Sequence, residues 1–304
     1  MVLLDRNDRR STAFTDVYVN ADGALVLRGD MLLPPPGTVT HELRERPAAD
    51  LIHPAEGGLD FVRRRSFGER RNLVVVRAGP GSLHAGWTRD LLDADRSWDL
   101  CVSWYGETES FGQDTIADFQ ILQNVERKYE AIHRLFQAGS PLWAYDRIAL
   151  LDDDLHADWS GINRLFAIHR EFDLQLAQPS LRPDVNVVHK ITATDLRYLL
   201  RFTSFVESMA PVFTRAALWA CIPTYANAGL GFGIDNIWPR LLGDPLNGVA
   251  VVDDVQVVHT RPMAINYVHW DALQEGSLTQ VRYEASSLVA EYGGILREPI
   301  PRQT

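Results

Sequence analysis

The run Ile148-Ala149-Leu150-Leu151 passes without a break into Asp152-Asp153-Asp154, and this junction constrains the fold more than any other stretch of the chain. Consecutive apolar residues suit a strand buried on both faces, as in a parallel sheet, and carboxylates cannot follow them into a core unpaired. The strand is therefore expected to end where the acids begin, at an edge that meets solvent or ligand. Two earlier runs share this form: Leu73-Val74-Val75-Val76 leads to Gly79-Pro80-Gly81, and Leu100-Cys101-Val102-Ser103 leads to Trp104-Tyr105-Gly106. Helical spacing appears in Tyr129, Ile132, Leu135 and Phe136, with Gly139 and Pro141 as stops, and again in Ile162, Leu165, Phe166 and Ile168-His169. Leu174 to Ala177 reads as another strand, Ala216 to Ala220 as a helix, and Val249 to Val252 with Val255 to Val258 as a last strong strand that delivers His259. This alternation predicts an α/β fold, with an open, mostly parallel sheet flanked by helices and ligands bound beyond the carboxyl ends of the strands.

Residues 1–68 read as an N-terminal extension with little regular core, carrying one small hairpin from Val17-Tyr18-Val19 through Ala21-Asp22-Gly23 to Ala24 to Leu27. Residues 69–304 read as the main domain, closed by an amphipathic helix around Val281 to Tyr292. The 46% apolar and 23% charged composition is that of a folded enzyme. Forty acidic residues against 30 basic ones give a net charge of −10, a field that repels nucleic acid and admits polyphosphates only beside a basic patch or a bound cation. Cys101 and Cys221, each in an apolar run, are expected to be buried thiols in a reducing cytoplasm. Neither a signal peptide nor an eighteen-residue apolar span is evident, so no transmembrane segment is expected. The Arg63 to Arg65 run leaves room for peripheral contact with an anionic membrane surface or acceptor, although a solvated loop explains it as well.

Hard carboxylate oxygens at a strand end suit Mg2+ or Mn2+ bound through substrate phosphates. Were the strand to continue, Asp152 and Asp154 would face one way and Asp153 the other. The bland alternative for such a cluster is a solvated turn. Asp235 follows the glycine-rich Gly229-Leu230-Gly231-Phe232-Gly233 and opens a helix, where it could be a general base for an acceptor hydroxyl or simply an N-cap. His259 could add an imidazole ligand, with Arg261 beside it for a phosphate, or be structural. Arg77 and Gly79 in the loop after the first strand could hold a nucleotide, although the lysine and spacing of a P-loop are missing. Trp104 and Tyr105 could stack on a base or pack the rim. Glu207 lies among apolar neighbours that would raise its pKa, and it could orient an acceptor or satisfy a backbone amide.

Taken together these residues resemble glycosyltransferases of the GT-A type, which bind a nucleotide-sugar through a metal held by a strand-end Asp-x-Asp. Within that group the chain is similar to the domain of unknown function 707 family over roughly Asn72 to Met263. That narrower likeness rests on Gly81-Ser82-Leu83-His84, Asp99-Leu100-Cys101, Tyr105-Gly106, Tyr145-Asp146, Asp152-Asp153-Asp154, Ile162 to Phe166, Ala177 to Leu181, Phe205-Val206-Glu207, Met209 to Phe213 and His259-Thr260-Arg261-Pro262. The resemblance implies a GT-A-like fold in which Asp154 and His259 bind Mn2+ or Mg2+, Asp152 contacts the metal or the ribose or donor sugar, and Asp235 serves the acceptor. The chain departs from many inverting members of the group by having Ile234, not an acid, before Asp235. The expected partners are a nucleoside diphosphate sugar, with uridine as the base, and a glycan or other hydroxyl acceptor, in surface polysaccharide synthesis. Two rivals remain at this stage: a phosphohydrolase with Asp152 as nucleophile and Asp154 as acid/base, and a non-catalytic nucleotide- or glycan-binding protein.

Overall fold

The computed structural model describes residues 18–19, 25–27, 31–32, 61–63, 70–112, 116–124, 126–226, 228, 234–242, 245–261 and 299–302. The closing helix expected at 281–292 and the glycine loop at 229–233 lie outside the described residues.

Three short strands, β1 (Tyr18–Val19), β2 (Leu25–Leu27) and β3 (Met31–Leu32), form an antiparallel sheet in that order. The principal sheet comprises β4 (Val62–Arg63), β5 (Asn72–Ala78), β6 (Trp98–Trp104), β7 (Phe119–Leu122), β8 (Arg147–Asp152), β9 (Leu155–His156), β10 (Leu176–Leu181), β11 (Tyr198–Phe202), β12 (Val212–Thr214), β13 (Val249–His259) and β14 (Ile300–Pro301). Its order is β14-β11-β13-β10-β12-β8-β5-β6-β7-β4, with β9 attached to β13. Strands β8, β5, β6 and β7 run parallel, as do β10 and β13. β12 is antiparallel to both β8 and β10, so those two share a direction. The carboxyl ends of β5, β6, β7, β8, β10 and β13 consequently open on one edge, as expected from the sequence. The reversed β12 was not legible there. It has three residues, and its neighbours Leu150 and Asp152 are reached instead through the preceding segment, where the Pro211 and Met209 carbonyls accept their amides at 2.9 and 2.8 Å. β4 lies within 1–68, yet it pairs antiparallel with β7 at the sheet's end.

The continuous apolar runs arise because the sheet is covered on both faces. Leu73 and Val75 of β5 join one core with helices α1 (Lys128–Leu135), α3 (Arg215–Cys221) and α4 (Ile234–Leu242). Val74 and Val76 join the other core with α2 (Trp159–Glu171), through Ile162, Leu165, Phe166 and Ile168. Cys101 and Cys221 are free and fully buried on the first face, as expected. The two valine-rich runs after Gly248 form one strand, β13. Its register against β10 shifts between Pro179 and Ser180, which pair with Val252 and Gln256. The displaced stretch contains Asp253, fully buried and held by Arg201 at 2.7 Å. At the amino ends of β5 and β6 a second buried ionic group fastens the sheet: Arg96 to Asp118 at 2.7 Å, Arg70 to Asp99 at 2.8 Å, and the Tyr145 hydroxyl donating to Asp99 at 2.6 Å. Among the described residues no helix is long and apolar enough to cross a membrane.

Candidate active site at the carboxyl edge

β8 stops at Asp152, and the chain turns at Asp153-Asp154 before β9. The alternation expected from a continuing strand is therefore replaced by a turn. Loop partners take its carbonyls in place of a ladder: Leu83 N–H donates to Asp153 O at 2.7 Å, and Thr260 donates to Asp154 O from N–H at 3.0 Å and from Oγ1 at 2.7 Å. The turn sends the three carboxylates to three different partners. Asp152 forms an ion pair with Lys128. Asp153 accepts from the Tyr105 hydroxyl at 2.9 Å and faces Arg261 at 3.5 Å. Asp154 lies 3.4 Å from His259 Nε2.

The last pair is the most enclosed. Asp154 is 4% exposed, and its Oδ1 has no hydrogen-bond partner; the Nδ1 of His259 is likewise buried and unpartnered. Buried polar atoms without a protein partner are uncommon, and these two lie side by side at the strand-end edge. Burial by itself would raise the Asp154 pKa, but the His259 ring beside it, with Arg261 and Lys128, reverses this and holds it below the usual carboxylate value. His259 moves the opposite way: desolvation is outweighed by Asp154, Asp152 and Glu207, and its pKa is raised.

Glu207 completes the inner group. Its Oε2 is buried without a partner, Oε1 is 3.8 Å from His189 Nε2, and its backbone N–H donates to Gln178 Oε1 at 2.6 Å. Desolvation, with Asp235 and Asp152 nearby, pushes its pKa up to about 8 against the help of Thr192 and His259. Asp235, partly buried, sits within the first turn of α4 and is close enough to act electrostatically on Glu207. The loop after β10 spans this group, with the Asn186 amide donating to the His259 carbonyl at 2.8 Å and His189 packed on Phe205.

The loop after β5 forms the other wall. Tyr105 is 37% exposed and its ring lies against Gly79, where a Cβ would come within 2.3 Å of the ring. Only glycine permits that approach. Gly81 takes φ +80°, and its carbonyl accepts from Arg261 Nη2 at 3.0 Å. Arg77 lies under Tyr105, 5.5 Å from the ring centroid, with its guanidinium committed to Ser103 Oγ and to the Gln123 and Glu126 carbonyls. Trp104 donates from Nε1 to the Glu107 carbonyl at 3.0 Å and packs on the second core.

The fold thus gathers Asp152, Asp153, Asp154, His259, Arg261, Glu207, Asp235, Tyr105, Trp104, Arg77 and Gly79 at one edge. Sequence reasoning missed Lys128, His189 and Asn186. Lys128 was signalled, as the cation that opens a helix after a strand; the other two lie in a loop without pattern. Among the described residues no three His, Cys, Asp or Glu side chains converge as a metal-binding group. Asp154 and His259 approach one another at 3.4 Å and Glu207 and His189 at 3.8 Å, while Asp152 is paired with Lys128. A carboxylate and an imidazole are donors that suit Mg2+ or Mn2+ beside phosphate oxygens and water, although the His259 nitrogen that faces Asp154 is Nε2 and the unpartnered one is Nδ1.

No family model matches the chain, and no curated protein matches it. Among solved structures it is similar to glucosyl-3-phosphoglycerate synthase from Mycobacterium tuberculosis in complex with Mn2+, UDP and glucosyl-3-phosphoglycerate. That match has 18% identity over 77% of this chain and 82% of that one, with a TM-score of 0.40. It is also similar to S. aureus TarS residues 1-349, at 13% identity over 62% of this chain and 60% of that one, with a TM-score of 0.43. A second TarS structure matches at 9% identity over 63% and 37%, with a TM-score of 0.42. The chain thus spans less than two thirds of either TarS chain. Likenesses of this size assign neither substrate nor reaction.

Proposed function

We propose that this protein is a metal-dependent glycosyltransferase of the GT-A type, allied to the domain of unknown function 707 family. It would move a sugar from a nucleoside diphosphate sugar, uridine-linked, to a hydroxyl of a glycan acceptor, in the cytoplasm and in the synthesis of surface polysaccharide. The observation that supports this reading is the Asp154-His259 pair at the carboxyl edge of the sheet, with Asp152, Glu207 and Asp235 within electrostatic reach and buried unpartnered atoms on Asp154, His259 and Glu207.

In this reading Asp154 and His259 hold Mn2+ or Mg2+, with Asp152 close by. When bound, the ion neutralises charge on the leaving diphosphate. Asp152 accepts a hydrogen bond from the ribose or donor sugar. Tyr105, packed closely against Gly79 and partly exposed, offers its ring to the base, with Trp104 at the rim, and Asp153 holds its hydroxyl. Arg261 faces the phosphates; Arg77 orders the wall beneath Tyr105. At neutral pH Glu207 is protonated, hence a hydrogen-bond donor that orients the acceptor, and Asp235 is the base that takes the hydroxyl proton.

Calorimetric titration of nucleotide-sugars with and without Mn2+, joined to an assay of released nucleoside diphosphate, tests the reading. Binding of one donor that requires the metal, with turnover lost in Asp154→Ala, supports it. Unchanged turnover in that variant refutes it, and phosphate release from simple esters would instead favour a phosphohydrolase using Asp152 and Asp154.

A further inference from the structure

Lys128 opens α1 just beyond the carboxyl end of β7, and its ammonium reaches across the edge to the Asp152 carboxylate. Its second oxygen partner is the Ser208 carbonyl at 3.0 Å, next to a Ser208 side chain fixed by Tyr129 at 2.9 Å. Both members of the pair are about a quarter exposed, at 26% and 27%. The Lys128 charge also acts on Asp154.

Arg77, Arg261 and Lys128 differ in how they are bound. Arg77 is locked by carbonyls on its own wall, and Arg261 bridges Gly81 to Asp153. Lys128 is held by the carboxylate next to the Asp154-His259 pair. An ammonium on a four-carbon stem has three rotatable donors and exchanges partners readily, whereas a guanidinium fork is tied to one geometry. Asp153 and Asp154 act electrostatically on Asp152, and Asp152 and Asp235 on Glu207, so the Lys128 charge offsets repulsion among neighbouring carboxylates before any ligand arrives. A divalent ion supplies that charge on arrival, and a diphosphate brings new oxygen acceptors to the same place.

We propose that Lys128 is an exchangeable counter-cation: in the ligand-free protein it neutralises Asp152, and on entry of a divalent cation with a nucleoside diphosphate it leaves Asp152 and bonds the diphosphate. The proposal rests on the glycosyltransferase reading of the site. It requires Lys128 to oppose metal binding and to favour nucleotide binding, two effects of opposite sign.

The test is calorimetric titration of the full chain with Mn2+ alone, and with UDP in saturating Mn2+, for the wild type, Lys128→Met and Lys128→Arg. In Lys128→Met, Mn2+ alone should bind about tenfold more tightly and UDP about tenfold more weakly, the scale of one charge acting over several ångströms in a partly solvated site. Lys128→Arg keeps the charge and should hold Mn2+ within about threefold of wild type by the same electrostatic reasoning. A merely structural lysine would weaken both ligands or neither, and either result overturns the proposal, as does tighter Mn2+ binding by Lys128→Arg. Should wild type bind neither Mn2+ nor UDP with Mn2+, the glycosyltransferase reading falls together with this one. Wild-type binding without the opposed shifts removes this proposal alone.

Discussion

Replacing Glu207 by glutamine should change how stability depends on pH. The side chain is 6% exposed, and its burial holds the carboxyl pKa at about 8, against an ordinary value of 4.5. A raised carboxyl pKa means that the folded protein binds a proton the unfolded chain releases. The protonated form costs nothing extra below the unfolded value, and stability falls as pH rises from there through the folded value. With ~1.4 kcal/mol for each tenfold change in proton affinity, the wild type should lose about 2–3 kcal/mol between pH 5 and pH 7 from this group alone. Glutamine cannot ionise and is close to the shape of the protonated acid, so Glu207→Gln removes that dependence. Asp235, Asp152 and His259 are coupled to this position, so the difference between the two proteins reports the Glu207 proton together with the response of these neighbours. Urea denaturation of both at pH 5, 6, 7 and 8, in the presence of a chelator, gives the difference directly. The two should converge at pH 5 and diverge as the pH rises, with the variant the more stable. Parallel curves would refute the claim that Glu207 is held protonated, and with it the assignment of Asp235 as the base.

Asp154→Ala should weaken Mn2+-dependent nucleotide binding by more than about a hundredfold while leaving far-UV circular dichroism unchanged, because losing a direct ligand exceeds the effect of losing a supporting contact. Retained affinity would remove Asp154 from the metal. Gly79→Ala places a methyl 2.3 Å from the Tyr105 ring, so it should cost about 1–3 kcal/mol in denaturant unfolding and displace the ring from Asp153. A variant as stable as wild type would contradict the close approach. Asp118→Ala leaves Arg96, 4% exposed, with Asp93 at 3.7 Å in place of the 2.7 Å Asp118 pair, and the Leu100 amide without the Asp118 acceptor, for an expected loss of about 3 kcal/mol. That change lies at the opposite end of the strands, so nucleotide affinity of the folded fraction should be unaffected, as calorimetry below the unfolding temperature would check.

The sheet was largely legible because parallel strands leave a mark in one dimension. Leu73 to Val76, Leu100 to Val102 and Ile148 to Leu151 are apolar without alternation since both of their faces are covered, and each became a strand. Two-sided coverage also accounts for the stripes at 129–136 and 162–169, and the abrupt change to acid at Asp152 marked the end of a strand wherever that strand lay. Composition and local periodicity determined this much: an α/β chain with carboxylates, a histidine and an arginine at strand ends. What they could not determine was direction and partnership. β12 is too short for a period to show, and its reversed placement between β8 and β10 depends on the whole sheet. Asp152, Asp153 and Asp154 are chemically alike in sequence, yet only the turn after β8 sends them to Lys128, Tyr105 and His259 in that order. Those partners lie 24 to 105 residues away along the chain. Tertiary structure alone decides such differences, because a carboxylate's role follows from the charges, donors and burial around it, and these are supplied by residues that sequence order keeps apart.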